Sequence, residues 1–223
     1  MIKNLRLLLL GAPGSGKGTQ TSRLLEKIQI TPVSSGDLLR TEISKKSSLG
    51  LLASKIIQKG GLVPDHLMIA LIYREFQARN WLGQDCSWLL DGFPRTQNQA
   101  VALDDKLTVA PINCVIELDV PEKVILERIE NRYIHIPSGR IYNQQYNPPK
   151  VPGKDDITGE PLSKRPDDNA EVFKRRLDNY HKEIDPLKEY FKNKGILHSI
   201  RGETSDIIFP QLYEYITSEF TSK

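Results

Sequence analysis

The chain has 223 residues, of which 39% are hydrophobic and 26% charged, with a formal net charge of +3. That is enough for one large domain, or a core with small inserts, without disulfide or metal staples. The charge excess is too small to argue for nucleic acid, and no basic-and-aromatic stacking motif supports such a partner. The apolar run at 7–10 is far too short to span a bilayer, and neither a secretory signal nor an Arg-rich transit peptide is evident. Cys86 and Cys114 lack CxxC spacing. Two thiols cannot make a four-ligand zinc site, so both are expected as buried, small apolar groups.

In chain order, residues 5–10 form an almost continuous apolar run stopped by Gly11, which reads as a strand buried on both faces of a parallel sheet. A helical pattern follows over 17–28, then a short strand at 33–34 and helices at 37–45, 49–59 and 65–79. Residues 87–90 read as a further strand ending at Asp91 and Gly92. A helix is expected at 96–106 and a buried strand at 113–118. Pro121 then suits the first position of a helix reaching about 131. Alternating strands and helices predict a doubly wound α/β core. Between 133 and 168 the helical period disappears and prolines and glycines accumulate, so this stretch reads as a small inserted, β-rich domain. A long helix resumes near 170, with a break expected at Asp185-Pro186. A last strand at 196–200 and a helix at 207–220 close the chain.

Three motifs carry chemistry. Gly11-Ala12-Pro13-Gly14-Ser15-Gly16-Lys17-Gly18-Thr19 follows the first strand and opens the first helix, the P-loop arrangement, except that Gly18 stands where Ser or Thr is usual. Glycines let successive backbone N–H groups curl toward phosphate oxygens, the helix N-terminus adds its dipole, and Lys17 supplies a point charge. Ser35-Gly36-Asp37 with Arg40 opens the next helix. Asp91-Gly92-Phe93-Pro94-Arg95 lies where ligands bind such sheets, outside the carboxyl edge. There Asp91 suits Mg²⁺ held through water and Arg95 suits a phosphate. Arg128 and Arg132, four apart, are expected to share one helix face, while Arg165 and Arg176 flank Asp167-Asp168.

Together GAPGSGKGT, SSGDLLR at 34–40, LLDGFPRT at 89–96 with Gln99, and RPDD at 165–168 with Arg176 resemble the adenylate kinase family. The middle segment, from Pro137 to Gly159, is similar to that family's long lid. The resemblance implies a P-loop NTPase-like doubly wound parallel sheet, with a small helical NMP-binding arm at 34–63 and an inserted β-rich lid at 132–168. The core would then comprise 1–33, 64–131 and 169–223. The implied activity is reversible γ-phosphoryl transfer from a nucleoside triphosphate to AMP, giving ADP and a nucleoside diphosphate.

By this resemblance Gly14, Ser15, Gly16, Lys17, Gly18 and Thr19 wrap the donor phosphates, with Arg132, Ile141, Tyr142, Thr204 and Ser205 completing the donor site. Ser35, Arg40, Gly61, Leu62, Val63, Gly92, Arg95, Gln99, Arg165 and Arg176 form the AMP site, Gln99 reading the adenine edge. Lys17, Arg95, Arg132, Arg165 and Arg176 are the implied catalytic cations, with Mg²⁺ accompanying the nucleotide. Some relatives bind zinc in the lid through four cysteines. His135, Ser138, Asp155 and Thr158 stand there in this chain, so a hydrogen-bonded polar cluster is expected and no zinc. Segment 201–210 and Arg140-Ile141-Tyr142-Asn143 resemble the mitochondrial GTP:AMP phosphotransferase branch. That implies GTP rather than ATP as donor and the mitochondrial matrix as location, with an ATP:AMP enzyme, a cytoplasmic location and an inactive nucleotide-binding module as the alternatives. A monomer is expected.

Overall fold

The computed structural model describes all residues except 1, 3, 84, 165–169, 222 and 223. The predicted Arg165, Asp167 and Asp168 therefore lie outside the described residues. The chain alternates strands and helices: β1 (Arg6–Leu10), α1 (Lys17–Leu25), β2 (Thr31–Ser34), α2 (Ser35–Ser44), α3 (Ser48–Ile57), α4 (Asp65–Ala78), β3 (Trp88–Asp91) and α5 (Gln97–Asp104). There follow β4 (Cys114–Asp119), α6 (Glu122–Glu130), β5 (Arg132–Ile134), β6 (Ile141–Asn143), α7 (Ala170–Asn193), β7 (Leu197–Arg201) and α8 (Ser205–Phe220).

Five parallel strands make the central sheet in the order β2-β3-β1-β4-β7. The apolar run of β1 explains why this strand lies at the centre. Successive side chains leave a strand on opposite faces. Leu8 and Leu10 enter one core with Val33, Leu90 and Val115, while Leu7 and Leu9 enter the other with Ile116 and Leu118. Each such leucine contributes about 1.5–3 kcal/mol when fully buried. Helices α2, α3, α4 and α5 supply the first core, and α1, α6 and α8 the second. Helix α7 serves both, through Leu187 and Phe191 on one side and Phe173 and Leu177 on the other.

Because β1 is flanked by β3 and β4, the connections leaving these three carboxyl ends diverge, and a crevice opens between them. All three motif loops emerge at this edge. The antiparallel pair β5-β6 forms a separate two-stranded sheet in the segment expected to be β-rich.

Several local expectations need correction. Helix α7 runs through Pro186 without a break. An internal proline costs about 3 kcal/mol of helix stability, but Ile184, Leu187 and Phe191 are all buried around it, and that packing keeps the helix on the sheet. Pro121 is the residue before α6 rather than its first. Helix α6 also stops at Glu130, so Arg132 opens β5 and shares no helix face with Arg128. Cys114 is buried, its thiol pushed up to about 12 chiefly by burial, whereas Cys86 is only partly buried.

Candidate active site

The loop after β1 owes its curl to backbone torsions that favour glycine: φ is +83° at Gly14 and +94° at Gly16, the residue preceding α1. Lys17, the first residue of α1, turns back so that its Nζ donates to the carbonyls of Gly11 (2.7 Å) and Ala12 (2.9 Å). Burial pushes its pKa down to about 8; the nearby Asp91 carboxylate opposes this, and Arg95, Arg176 and Arg132 reinforce it. The structure thus brings Asp91, Arg95, Arg132 and Arg176 within electrostatic reach of Lys17, from β3, the following loop, β5 and α7. Such a set of cations around one carboxylate at a helix N-terminus is suited to a polyphosphate.

Gly18 and Thr19 lie in the first turn of α1, and Ile141 of β6 covers it: its Cδ1 stands 3.4 Å from where a Cβ on Gly18 would be. Ser205 borders the same loop at Gly16. Thr204 caps α8, its hydroxyl accepting from the Ile207 N–H at 3.2 Å. Arg128 ties these parts together. Its guanidinium is largely buried and donates to the Ser15 carbonyl (3.2 Å) and the Glu203 carbonyl (2.8 Å), with the Tyr146 ring 5.2 Å away. Gln20 adds a longer bond to the Ser205 carbonyl, 3.4 Å. Tyr142 is committed to the interior of the insert, its hydroxyl donating to Asp155 at 2.8 Å.

On the other side of the crevice, buried Ser35 donates to the Gly92 carbonyl at 2.8 Å, and Arg95 Nε donates to the same oxygen at 2.7 Å. Gly92 has φ +78°, and a Cβ there would meet the Ser35 hydroxyl at 2.8 Å. Arg40 pairs with Asp37 in the first turns of α2. Gly61 and Leu62 are half-buried and Val63 buried in the stretch leading into α4. The Gly60 carbonyl accepts from Asn179 of α7 at 3.1 Å. Gln99, 2% exposed, accepts from the Arg95 N–H at 2.7 Å and donates to Asp65 at 2.7 Å. Gly139 of the insert comes within 3.8 Å of an Asp37 oxygen, measured from its would-be Cβ, so the insert reaches over the α2 arm.

Residues His135, Ser138, Asp155 and Thr158 do form a hydrogen-bonded cluster. His135 bonds Ser138 at 2.7 Å, and the Thr158 hydroxyl donates to Asp155 at 3.0 Å. Arg140 donates to both Asp155 oxygens, at 2.7 and 2.5 Å. These bonds hold the Asp155 carboxyl well below the usual carboxylate range, Arg140 being the largest cause. Glu160, missed in the sequence, joins the cluster with a carboxylate oxygen 2.6 Å from His135 Nε2.

The family profile described as "Adenylate kinase" matches residues 9–196. The chain belongs to the adenylate kinase family. Over 223 residues it is 62% identical to "GTP:AMP phosphotransferase, mitochondrial" of Saccharomyces cerevisiae, covering 99% of this chain and 95% of that one. A relative of the same description from strain S288c of that yeast is 62% identical over 212 residues, 94% of each chain. An "Adenylate kinase" of Vanderwaltozyma polyspora is 42% identical over 196 residues, 87% of each chain. As an adenylate kinase, this chain places its P-loop, its Asp-Gly-Phe-Pro-Arg loop and its inserted β-hairpin around one crevice. Asp65 and the carbonyl-binding role of Arg128 escaped the sequence reading. An aspartate after a proline at a helix start reads as a helix-terminus residue, and the partners of Arg128 are remote in sequence.

Proposed function

We propose that this adenylate kinase transfers the γ-phosphoryl group of GTP to AMP in the mitochondrial matrix. The convergence of Lys17, Asp91, Arg95, Arg132 and Arg176 at one crevice carries the reading, and the names of both Saccharomyces cerevisiae relatives favour GTP and the mitochondrion. An oxygen of the AMP phosphate attacks the γ-phosphorus, the bond to the β–γ bridging oxygen breaks, and its electron pair stays on the β-phosphate. ADP and GDP result. The attacking phosphate is already anionic, so no general base is needed. Catalysis is positioning and charge stabilisation.

Lys17 and the loop N–H groups hold the donor phosphates, while Arg95 and Arg40 hold the phosphate of AMP. Arg132, Arg176 and Arg165 neutralise the transferring group. Asp91 fits Mg²⁺: its carboxylate is a hard oxygen ligand facing the same crevice as Lys17, and Mg²⁺ is commonly held by one or two carboxylates plus substrate phosphates. When bound, the ion neutralises charge between the donor phosphates. Residues 34–63 and 132–168 act as the arm and lid that exclude water, and the working unit is a monomer.

The test is initial-rate phosphorylation of AMP with Mg²⁺ and either GTP or ATP, compared as kcat/KM. Preference for GTP supports the reading. Preference for ATP keeps the site and the acceptor but replaces the donor. No transfer from either donor refutes the proposal.

A further inference from the structure

Asp65 opens α4 directly after Pro64. An acidic residue there ordinarily does no more than complement the helix dipole. Here both of its oxygens are spent on α5 and its approach. Oδ1 accepts from Gln99 Nε2 at 2.7 Å, and Oδ2 accepts from the Thr96 hydroxyl at 2.9 Å. Thr96 in turn accepts from the Gln99 backbone N–H at 3.1 Å. At the other end of the amide, the Arg95 N–H donates to Gln99 Oε1 at 2.7 Å.

The chemistry of these partners admits one orientation of the amide. A carboxylate can only accept and a backbone N–H can only donate, so Nε2 must face Asp65 and Oε1 must face Arg95. A flip would set two donors against each other at Arg95 and two acceptors at Asp65, in a buried place where unmatched polar groups are costly. Among the described residues, one amide hydrogen and one oxygen lone pair of Gln99 then remain for a ligand. A 6-aminopurine offers a donor at its exocyclic nitrogen and an acceptor at N1. A 6-oxopurine offers the reverse, an acceptor at O6 and a donor at N1. With the base anchored through its phosphate at Arg95, a locked amide can match only one of the two patterns.

We infer that Asp65 is a positioning residue that sets acceptor specificity: it holds the Gln99 amide in the state that accepts adenine and rejects 6-oxopurines. This rests on the assignment of the AMP site made above.

The experiment compares kcat/KM for AMP and for IMP at saturating donor in the wild type, Asp65→Asn, Gln99→Ala and the double variant. IMP differs from AMP only at the edge in question. Asp65→Asn preserves shape but turns one of the two accepting oxygens into an NH2 donor, so acceptance from Gln99 Nε2 is no longer obligatory. Its AMP-to-IMP ratio should fall by about tenfold or more, chiefly through a higher KM for AMP, because the base is remote from the transferred group. In the Gln99→Ala background the same substitution should leave the ratio unmoved, since Asp65 acts through Gln99.

A helix-terminus role alone would lower the melting temperature and leave the ratio intact, and that result overturns the inference. Thr96→Val, at the other end of the carboxylate, is the second variant should Asp65→Asn fail to fold; a wild-type ratio there overturns it equally. A wild-type enzyme that phosphorylates other acceptors but not AMP refutes the acceptor-site assignment itself, a failure distinct from an unmoved ratio in an AMP-specific enzyme.

Discussion

The charge state of Lys17 should be visible in the pH profile. Burial pushes its pKa down to about 8, with Asp91 opposing and three arginines assisting. A lysine with that pKa is charged in about nine-tenths of free molecules at about pH 7 and in about one-tenth at about pH 9. If the charged form alone holds the donor phosphates, kcat/KM for MgGTP falls about tenfold across that window, and the alkaline limb reports the free enzyme. Phosphate's own last ionisation, near about 6, lies below the window. The assay is a coupled initial-rate measurement with GTP varied and AMP saturating, repeated in Lys17→Arg. Arginine does not titrate in this range, so the variant should be slower at every pH but lack the limb near 8. A flat wild-type profile, or a limb that survives Lys17→Arg, would refute the reasoning. For stability the sign is opposite. A lysine whose native pKa lies below its unfolded value costs stability most fully below about pH 8, and that cost fades as pH rises toward the unfolded value near about 10.4.

Arg128→Leu should lower stability by about 2 kcal/mol, because the carbonyls of Ser15 and Glu203 lose charged donors. It should also raise the KM for the donor more than that for AMP. A thermal melt with both titrations checks this, and an unchanged donor KM would argue against the clamp. Asp155→Asn should loosen the insert selectively, read as faster amide exchange over 132–164 with the central sheet unaffected. In the wild type the depressed Asp155 carboxyl keeps its contribution in full above the unfolded value near about 3.9. That contribution drains away only as pH falls toward the lower native value, so protection of the insert should persist to about pH 4.

Much of this molecule was legible because the relevant physics is local. The run at β1 announces a strand buried on both faces, and the glycines at 14 and 16 announce a turn with positive φ. Lys17 at the start of a helix marks an anion site, and the prolines and glycines after 133 mark a separate insert. The failures also have local causes. Pro186 carries a helix-breaking signal that buried neighbours on both sides override, and α6 ends two residues before Arg132.

The sequence by itself thus determined the alternation of strands and helices, the loop that cradles phosphate and the inventory of cations, since each depends on torsions and periodicities spanning only a few residues. Tertiary structure alone decided which side chains meet. Arg128 finds Glu203 across 75 positions and Gln99 finds Asp65 across 34. The parallel order β2-β3-β1-β4-β7 sets Asp91 at the end of β3 beside β1 and its loop, while Arg132 of β5 and Arg176 of α7 reach Lys17 from outside that sheet. Hydrogen-bond partners and electrostatic neighbours are set by how distant segments cross at one sheet edge, and no local periodicity encodes that crossing.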